Sequence, residues 1–145
     1  MNEQNSNSYP TKPIIGVGAI VQKGGKVLLV KRGVEPSLGL WAVPGGTLKL
    51  GESMRHCAER ELFEETGVTA QAGECVYTFD FVERDAQGKI KYHFVVVDFA
   101  AKYISGEPQG ADDALEARWF APGELKNIAV SKNTLAALRY IGFLT

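Results

Sequence analysis

The sequence predicts a mixed α/β domain in which helices cover both faces of a mixed β-sheet. Three observations carry that class. Apolar, β-branched runs lie on both sides of a helical segment free of Gly and Pro. A second helical segment closes the chain. Neither an internal repeat nor a regular strand–helix–strand alternation runs through the sequence. With 145 residues, 45% of them hydrophobic, the chain has material for one core and is too short for two ordinary domains.

The first twelve residues are polar and lead into Pro10 and Pro13, so residues 1–12 read as a flexible tail and 13–145 as a single domain. Residues 14–22 carry Ile14, Ile15, Val17, Ile20 and Val21, interrupted by Gly16 and Gly18. Gly24-Gly25 makes a turn into residues 26–31, which hold Val27, Leu28, Leu29 and Val30. The pair reads as a hairpin with at least one strand buried on both faces. Residues 33–44 are loop-like, with a short apolar segment at Leu40, Trp41, Ala42 and Val43.

Residues 53–65 form the clearest helix, with Ser53 placed to cap its start and Gly67 its end. Residues 74–83 and 89–101 are rich in Val, Tyr and Phe. Asp85-Ala86-Gln87-Gly88 joins them, as in a long antiparallel hairpin. A loop over 106–110 and a short strand over 117–120 follow. The last helix spans 131–140, capped by Ser131 and with Leu135, Leu138 and Ile141 on one side.

Composition removes several functional classes. Sixteen basic against seventeen acidic residues give a net charge of -1, with no excess to drive binding to a nucleic acid polymer or an anionic membrane. No stretch approaches the ~18–20 apolar residues of a membrane span, and the first residues lack the apolar core of a signal peptide. A cytoplasmic location is expected. Cys57 and Cys75 have no CxxC spacing and read as two reduced thiols.

Chemistry concentrates in the first helix. Glu61, Glu64 and Glu65 stand at i, i+3 and i+4, so three carboxylates share a face at a cost of about 0.2–0.5 kcal/mol per like-charged pair. They also occupy the last turn, where the helix dipole disfavours anions by about 0.3–1 kcal/mol each. A local rule broken this way points to a site. A hard divalent cation is the natural compensation for clustered carboxylate oxygens; a solvated acidic face is the alternative that spacing leaves open.

The surrounding residues extend the pattern. Gly46, Glu52 and the run Arg60-Glu61-Leu62-Phe63-Glu64-Glu65-Thr66-Gly67-Val68 satisfy nine constrained positions within 23 residues. This arrangement resembles the Nudix box: Gly, five residues, Glu, seven residues, Arg-Glu, an aliphatic, any residue, Glu-Glu, any residue, Gly, an aliphatic. The flanks Leu40 to Gly46 and Glu116 to Phe120 are similar to those of small bacterial Nudix hydrolases, so the resemblance spans residues 13–141.

The resemblance implies an α/β/α sandwich and Mg²⁺- or Mn²⁺-dependent hydrolysis of a nucleoside diphosphate linked to another moiety. It makes Glu64 and Glu65 the main metal-binding carboxylates. Glu61 becomes a third ligand or the group that orients the attacking water. The Gly45 carbonyl is a further ligand, and Arg60 holds the glutamates in place. An acid outside the box is expected about six residues before the last strand's Trp119, which gives Asp113, as base or extra ligand. Asp112 is adjacent, and Glu116 lies closer to the strand.

Arg32, Trp41 and Gly46 are the candidate substrate contacts: a phosphate contact, a stacking platform, and a backbone that lets phosphate and metal approach. Tyr77, Phe79, Phe81 and Tyr92 are further stacking candidates. Gly16-Val17-Gly18 lacks the third glycine and following helix of a dinucleotide fingerprint, and no P-loop is present. His56 and His93 have no zinc-type partner spacing.

The flanks, especially Tyr92 to Phe99 and Glu116 to Phe120, look most like ADP-ribose pyrophosphatases. The expected reaction is ADP-ribose to AMP and ribose 5-phosphate. A nucleoside triphosphate pyrophosphohydrolase acting on oxidised or surplus nucleotides is the alternative. A non-catalytic nucleotide-sensing module is the alternative of another class. A homodimer is the family's common assembly.

Overall fold

A computed structural model describes residues 7–145. Strands β1 (Ile14–Lys23) and β2 (Lys26–Arg32) form the first hairpin, followed by the short β3 (Trp41–Ala42) and β4 (Gly45–Thr47). Helix α1 (Met54–Thr66) precedes the long hairpin β5 (Thr69–Arg84) and β6 (Ile90–Ser105). Strand β7 (Ala114–Phe120), a 3-10 helix (Pro122–Asn127) and α2 (Lys132–Tyr140) complete the chain.

The sheet runs β3-β2-β1-β6-β5, with β4 paired to β1 and β7 to β2. Its one long parallel pair, β1 with β6, runs from Ile14 opposite Phe94 to Gln22 opposite Lys102. The remaining pairs between these strands are antiparallel, which makes the sheet mixed. Continuous apolar runs at Val17–Val21, apart from Gly18, and Val27–Val30 are buried because helices cover both sheet faces.

On one face Val17, Ala19, Val21, Leu28 and Val30 meet Cys57, Ala58 and Leu62 of α1. On the other, Ile20, Val27, Leu29, Trp41 and Phe120 meet Ala137 and Leu138 of α2. Leu62 and Leu138 are fully buried; each contributes about 1.5–3 kcal/mol by leaving water.

Helix α1 begins and ends where the sequence places it. Ser53 accepts a hydrogen bond from the His56 N–H at 3.1 Å. Gly67 takes φ 74°, which a residue with a Cβ adopts only under strain, and returns its N–H to the Phe63 carbonyl. Five local expectations change. The long hairpin starts at Thr69 rather than 74, because buried Ala70 and Ala72 pair with β6 despite weak strand propensity. Strand β7 starts at Ala114 rather than 117, held in register with Arg32 of β2. A 3-10 helix with Pro122 at its start fills a stretch that carries no periodic signal. Trp41 and Ala42 leave the loop to pair with Lys31 and Val30. On α2, the buried positions are Thr134, Ala137 and Leu138, while Leu135 is only half-buried.

Of the segment expected to be a flexible tail, residues 1–6 lie outside the described residues. Tyr9 donates its N–H to the Lys91 carbonyl at 2.7 Å and its hydroxyl to Asp85 at 3.0 Å. Cys57 is buried and Cys75 exposed, both as free thiols, and burial pushes the Cys57 thiol up to about 12. Among the described residues no helix is long and apolar enough to cross a membrane.

Candidate active site

The last turns of α1 lie against β4, and their contacts divide the three carboxylates. Glu61 and Glu65 are buried, at 4% and 7% exposure, whereas the Glu64 side chain is 42% exposed. Glu65 accepts a hydrogen bond from the Gly45 N–H at 3.1 Å, which ties α1 to β4. Gly46 faces the Glu61 carboxylate so closely that a Cβ would fall on it, and a Cβ on Gly45 would strike the Val17 carbonyl. Both glycines are required by close approach of backbone to side chain and strand.

Arg60 organises this cluster. Its Nε and Nη2 donate to Glu52 at 2.6 and 2.9 Å in a two-pronged ion pair. Its Nη1 donates to Glu61 at 2.8 Å and to Glu64 at 3.1 Å. Glu52 also accepts the Lys49 N–H at 3.2 Å and contacts His56 Nδ1 at 2.8 Å. The Arg60 hydrogen bonds hold the Glu52 carboxyl well below the usual carboxylate range, and Glu52 in turn raises the Arg60 guanidinium. One guanidinium thus offsets part of the repulsion that the sequence pattern creates.

Glu65 is the uncompensated member. Burial raises its pKa to about 8, the Gly45 N–H opposes that rise, and the Glu61 charge adds to it. The nearby Arg32 charge lowers it in part. Among the described residues no three carboxylate, imidazole or thiol side chains already converge as a ligand set, since Glu61 and Glu64 turn oxygens toward Arg60. The donor chemistry nevertheless fits a hard divalent cation. Glu61 and Glu65 border the cavity and Glu64 stands exposed on the same turn, Glu65 is buried without a full countercharge, and the glycine cradle admits close approach. Among the described residues bordering this cavity there is no thiol or imidazole donor.

The cavity joins Gly45, Gly46, Glu61 and Glu65 at one end to Phe79, Phe81 and Phe94 at the other. Arg32 and Asp113, both expected site residues, border it as well. The Gly33 N–H donates to the Asp113 carbonyl at 2.8 Å, so the junction of β2 and β7 sets the two side by side. Arg32 donates its Nε to the Pro36 carbonyl at 2.7 Å, and burial lowers its pKa. Burial, then the neighbouring Asp112, raises the Asp113 carboxyl. Glu116 stands apart, paired with Arg118 and 3.9 Å from Lys31.

Trp41 departs from its expected role. It does not border the cavity but sits in the core, edge-on to Phe120 with ring centres 4.8 Å apart. Pairing of β3 with β2 and the bridge to Val130 carry the ring inward. Tyr92 is likewise buried, stacked on Phe94 at 6.3 Å. Phe79 and Phe81 do reach the cavity, together with Phe94, which the sequence did not single out.

The sequence also missed Asp98. It is 3% exposed, borders the cavity, and its carboxylate lies directly above the Cα of Gly18 on the adjacent strand. Burial alone raises its pKa to about 7. The available signal was an acid inside the apolar run Val95-Val96-Val97-Asp98-Phe99, where a solvated role is hard to sustain.

A family model described as NUDIX domain matches residues 12–138. Over 117 residues the chain is 33% identical to an ADP-ribose pyrophosphatase of Methanocaldococcus jannaschii, covering 81% of this chain and 67% of that protein. Over 80 residues it is 39% identical to a CTP pyrophosphohydrolase of Escherichia coli, covering 54% of this chain and 57% of that protein. The crystal structure of a MutT NUDIX hydrolase from Burkholderia pseudomallei superposes with a TM-score of 0.77 at 29% identity. That alignment covers 90% of this chain and 98% of the other.

Proposed function

Because this chain belongs to the Nudix family and is a hydrolase of that family, we propose that it cleaves the diphosphate of ADP-ribose to give AMP and ribose 5-phosphate. The observation that carries the reading is a single cavity joining a buried carboxylate edge to an aromatic end, bordered also by Arg32 at the end of β2, where it pairs with Ala114 of β7. The likeness to an ADP-ribose pyrophosphatase over 81% of the chain supports the substrate.

In this reading Glu61, Glu64, Glu65 and the Gly45 carbonyl hold Mg²⁺ or Mn²⁺. Such an ion neutralises phosphate charge and lowers the pKa of a bound water. Arg60 keeps Glu61 and Glu64 aligned from behind, through donors that never leave the protein. Arg32 supplies the positive charge that a diphosphate requires, and its Nε bond to Pro36 fixes the plane of the guanidinium. Asp113, beside Arg32, accepts the proton released as water adds to phosphorus and the bridging P–O bond breaks. The phenyl rings of Phe79, Phe81 and Phe94 receive the base.

The test is hydrolysis of a panel of ADP-ribose, ordinary and oxidised nucleoside triphosphates, a sugar nucleotide, NADH and a dinucleoside polyphosphate, with Mg²⁺, Mn²⁺ or chelator. Products are identified by mass. AMP plus ribose 5-phosphate, formed at a kcat/KM at least about a hundredfold above other substrates, supports the proposal. Pyrophosphate plus a monophosphate from a triphosphate replaces it with the triphosphate activity. Nucleotide binding without turnover of any member replaces it with a sensing role.

A further inference from the structure

We infer that Asn7 is a specificity-determining residue, whose carboxamide hydrogen-bonds the edge of the planar ring received by the phenyl groups of the cavity, and that Tyr9 is the residue that positions it. The inference deepens the proposed function and rests on its placement of a nucleotide in this cavity.

The chain just before β1 is fastened to the long hairpin. Tyr9 donates its N–H to the Lys91 carbonyl at 2.7 Å and its hydroxyl to Asp85 at 3.0 Å, which ties it to β6 and to the turn between β5 and β6. The anchor is itself fixed, since the other Asp85 oxygen accepts the N–H groups of Gln87 and Lys89, each at 2.9 Å. Tyr9 takes φ 51°, which a bulky residue adopts only under strain. Such strain persists where surrounding contacts over-determine a conformation, and it clusters at ligand sites. Residues 7–9 thus form a strap with a defined course.

Asn7 borders the cavity from this strap, two residues before the anchor. Two peptide units carry it at most about 7–8 Å from Tyr9. Along β6, Phe94 lies about 10 Å from Lys91, whereas Asp98, opposite Gly18, lies about 23 Å away. The strap therefore meets the cavity at its aromatic end, where Phe94 pairs with Phe81, and not at its glycine end. The walls there, Phe79, Phe81, Phe94 and Val96, can cover the face of a flat ring and offer nothing polar to its edge. Asn133, the other carboxamide at the cavity, adjoins Thr134, whose hydroxyl accepts the Val43 N–H at 3.2 Å on the glycine side. A carboxamide presents a donor and an acceptor together, which matches a nucleobase edge. Apolar surroundings strengthen such a bond. A ribose or a phosphate has no flat face for the phenyl rings.

The experiment measures calorimetric affinities of AMP, CMP and ribose 5-phosphate, each with Mg²⁺, for wild type, Asn7→Ala and Tyr9→Phe. Ribose 5-phosphate carries sugar and phosphate without a base, so comparison with it isolates the contact to the ring. Wild type is expected to bind one nucleotide at least about tenfold tighter than ribose 5-phosphate. Asn7→Ala is expected to weaken that nucleotide about tenfold, the scale of one hydrogen bond, and to leave ribose 5-phosphate within about twofold. Tyr9→Phe keeps the ring and loses the bond to Asp85, with an expected loss of about threefold for the nucleotide alone. Melting temperatures should stay within a few degrees of wild type, since Asn7 is half-buried and Tyr9 exposed. Unchanged nucleotide affinity in Asn7→Ala, or equal weakening of ribose 5-phosphate, overturns the inference. So does equal wild-type affinity for all three ligands, absence of nucleotide binding, or a large fall in the melting temperature of Asn7→Ala. Unchanged affinity in Tyr9→Phe overturns the positioning role of Tyr9. Turnover of wild type on the substrate panel is read separately. A nucleotide-specific loss in Asn7→Ala without turnover overturns the hydrolase reading alone, and turnover without that loss overturns this one alone.

Discussion

Arg60 grips Glu52 with two parallel hydrogen bonds, Nε to Oε2 at 2.6 Å and Nη2 to Oε1 at 2.9 Å, while its remaining terminal nitrogen reaches Glu61 and Glu64. One planar group thus fixes the loop before α1 and two carboxylates in its last turns. A lysine ammonium is a single charge on a flexible stem and cannot span three acids with fixed geometry. Arg60→Lys is expected to fold with a lower melting temperature and to lose about tenfold or more in kcat/KM. Thermal melts and steady-state kinetics on the preferred substrate check both.

The same pair makes stability pH-dependent. Arg60 holds the Glu52 pKa below the ordinary glutamate value of 4.5. A carboxyl lowered by folding contributes stability that is fully present above its unfolded value and is lost as pH falls toward the folded one. Glu52→Gln is expected to melt several degrees below wild type at pH 7, with the gap closing as pH falls below 4.5. A gap that is constant with pH would show that the ionised form adds nothing.

Glu64 is the exposed member of the carboxylate trio, so its replacement should be tolerated by the fold. Glu64→Gln removes one charge from the proposed cation site and is expected to lower metal-dependent kcat by on the order of a hundredfold or more. Its melting temperature without added metal should match wild type within a few degrees. Near-normal rates would place the metal elsewhere.

Gly46 tests the cradle. A Cβ there meets the Glu61 carboxylate, which is buried and cannot swing into water. Gly46→Ala is expected to cut kcat about tenfold or more and to weaken Mg²⁺ activation, read from rate against Mg²⁺ concentration. An unchanged Mg²⁺ dependence would remove Glu61 from the ligand set.

Asp113 is the proposed proton acceptor outside the helix. Its side chain borders the cavity beside Arg32. Asp113→Asn keeps shape and should lower kcat by about 10²-fold with little change in KM, as expected for loss of a general base. An effect confined to KM would reassign the residue to substrate binding.

Wherever a signal was local, the sequence was informative. Ser53 and Gly67 bracket α1 because capping depends on residues three or four apart. Glu61, Glu64 and Glu65 point to a candidate site because like charges at helical spacing violate a rule visible within two turns. Aromatic strand residues announce a hairpin for the same reason. The extra turn of sheet at Ala70 and Ala72 was not legible, because small residues become strand only when a partner strand offers hydrogen bonds.

What tertiary structure alone decided is which element covers which face. Helical periodicity groups the three glutamates, yet only packing against β4 buries Glu61 and Glu65 and leaves Glu64 exposed. An apolar segment around Trp41 suits either a cavity wall or a core, and pairing with β2 and Val130 sends the ring into the core. Asp98 is one acid in an apolar run until β1 is laid beside β6 and Gly18 opens the space it fills. Period fixes the direction of a side chain within its own element. The identity of the neighbour it meets depends on contacts between residues far apart in the chain, which no local pattern encodes.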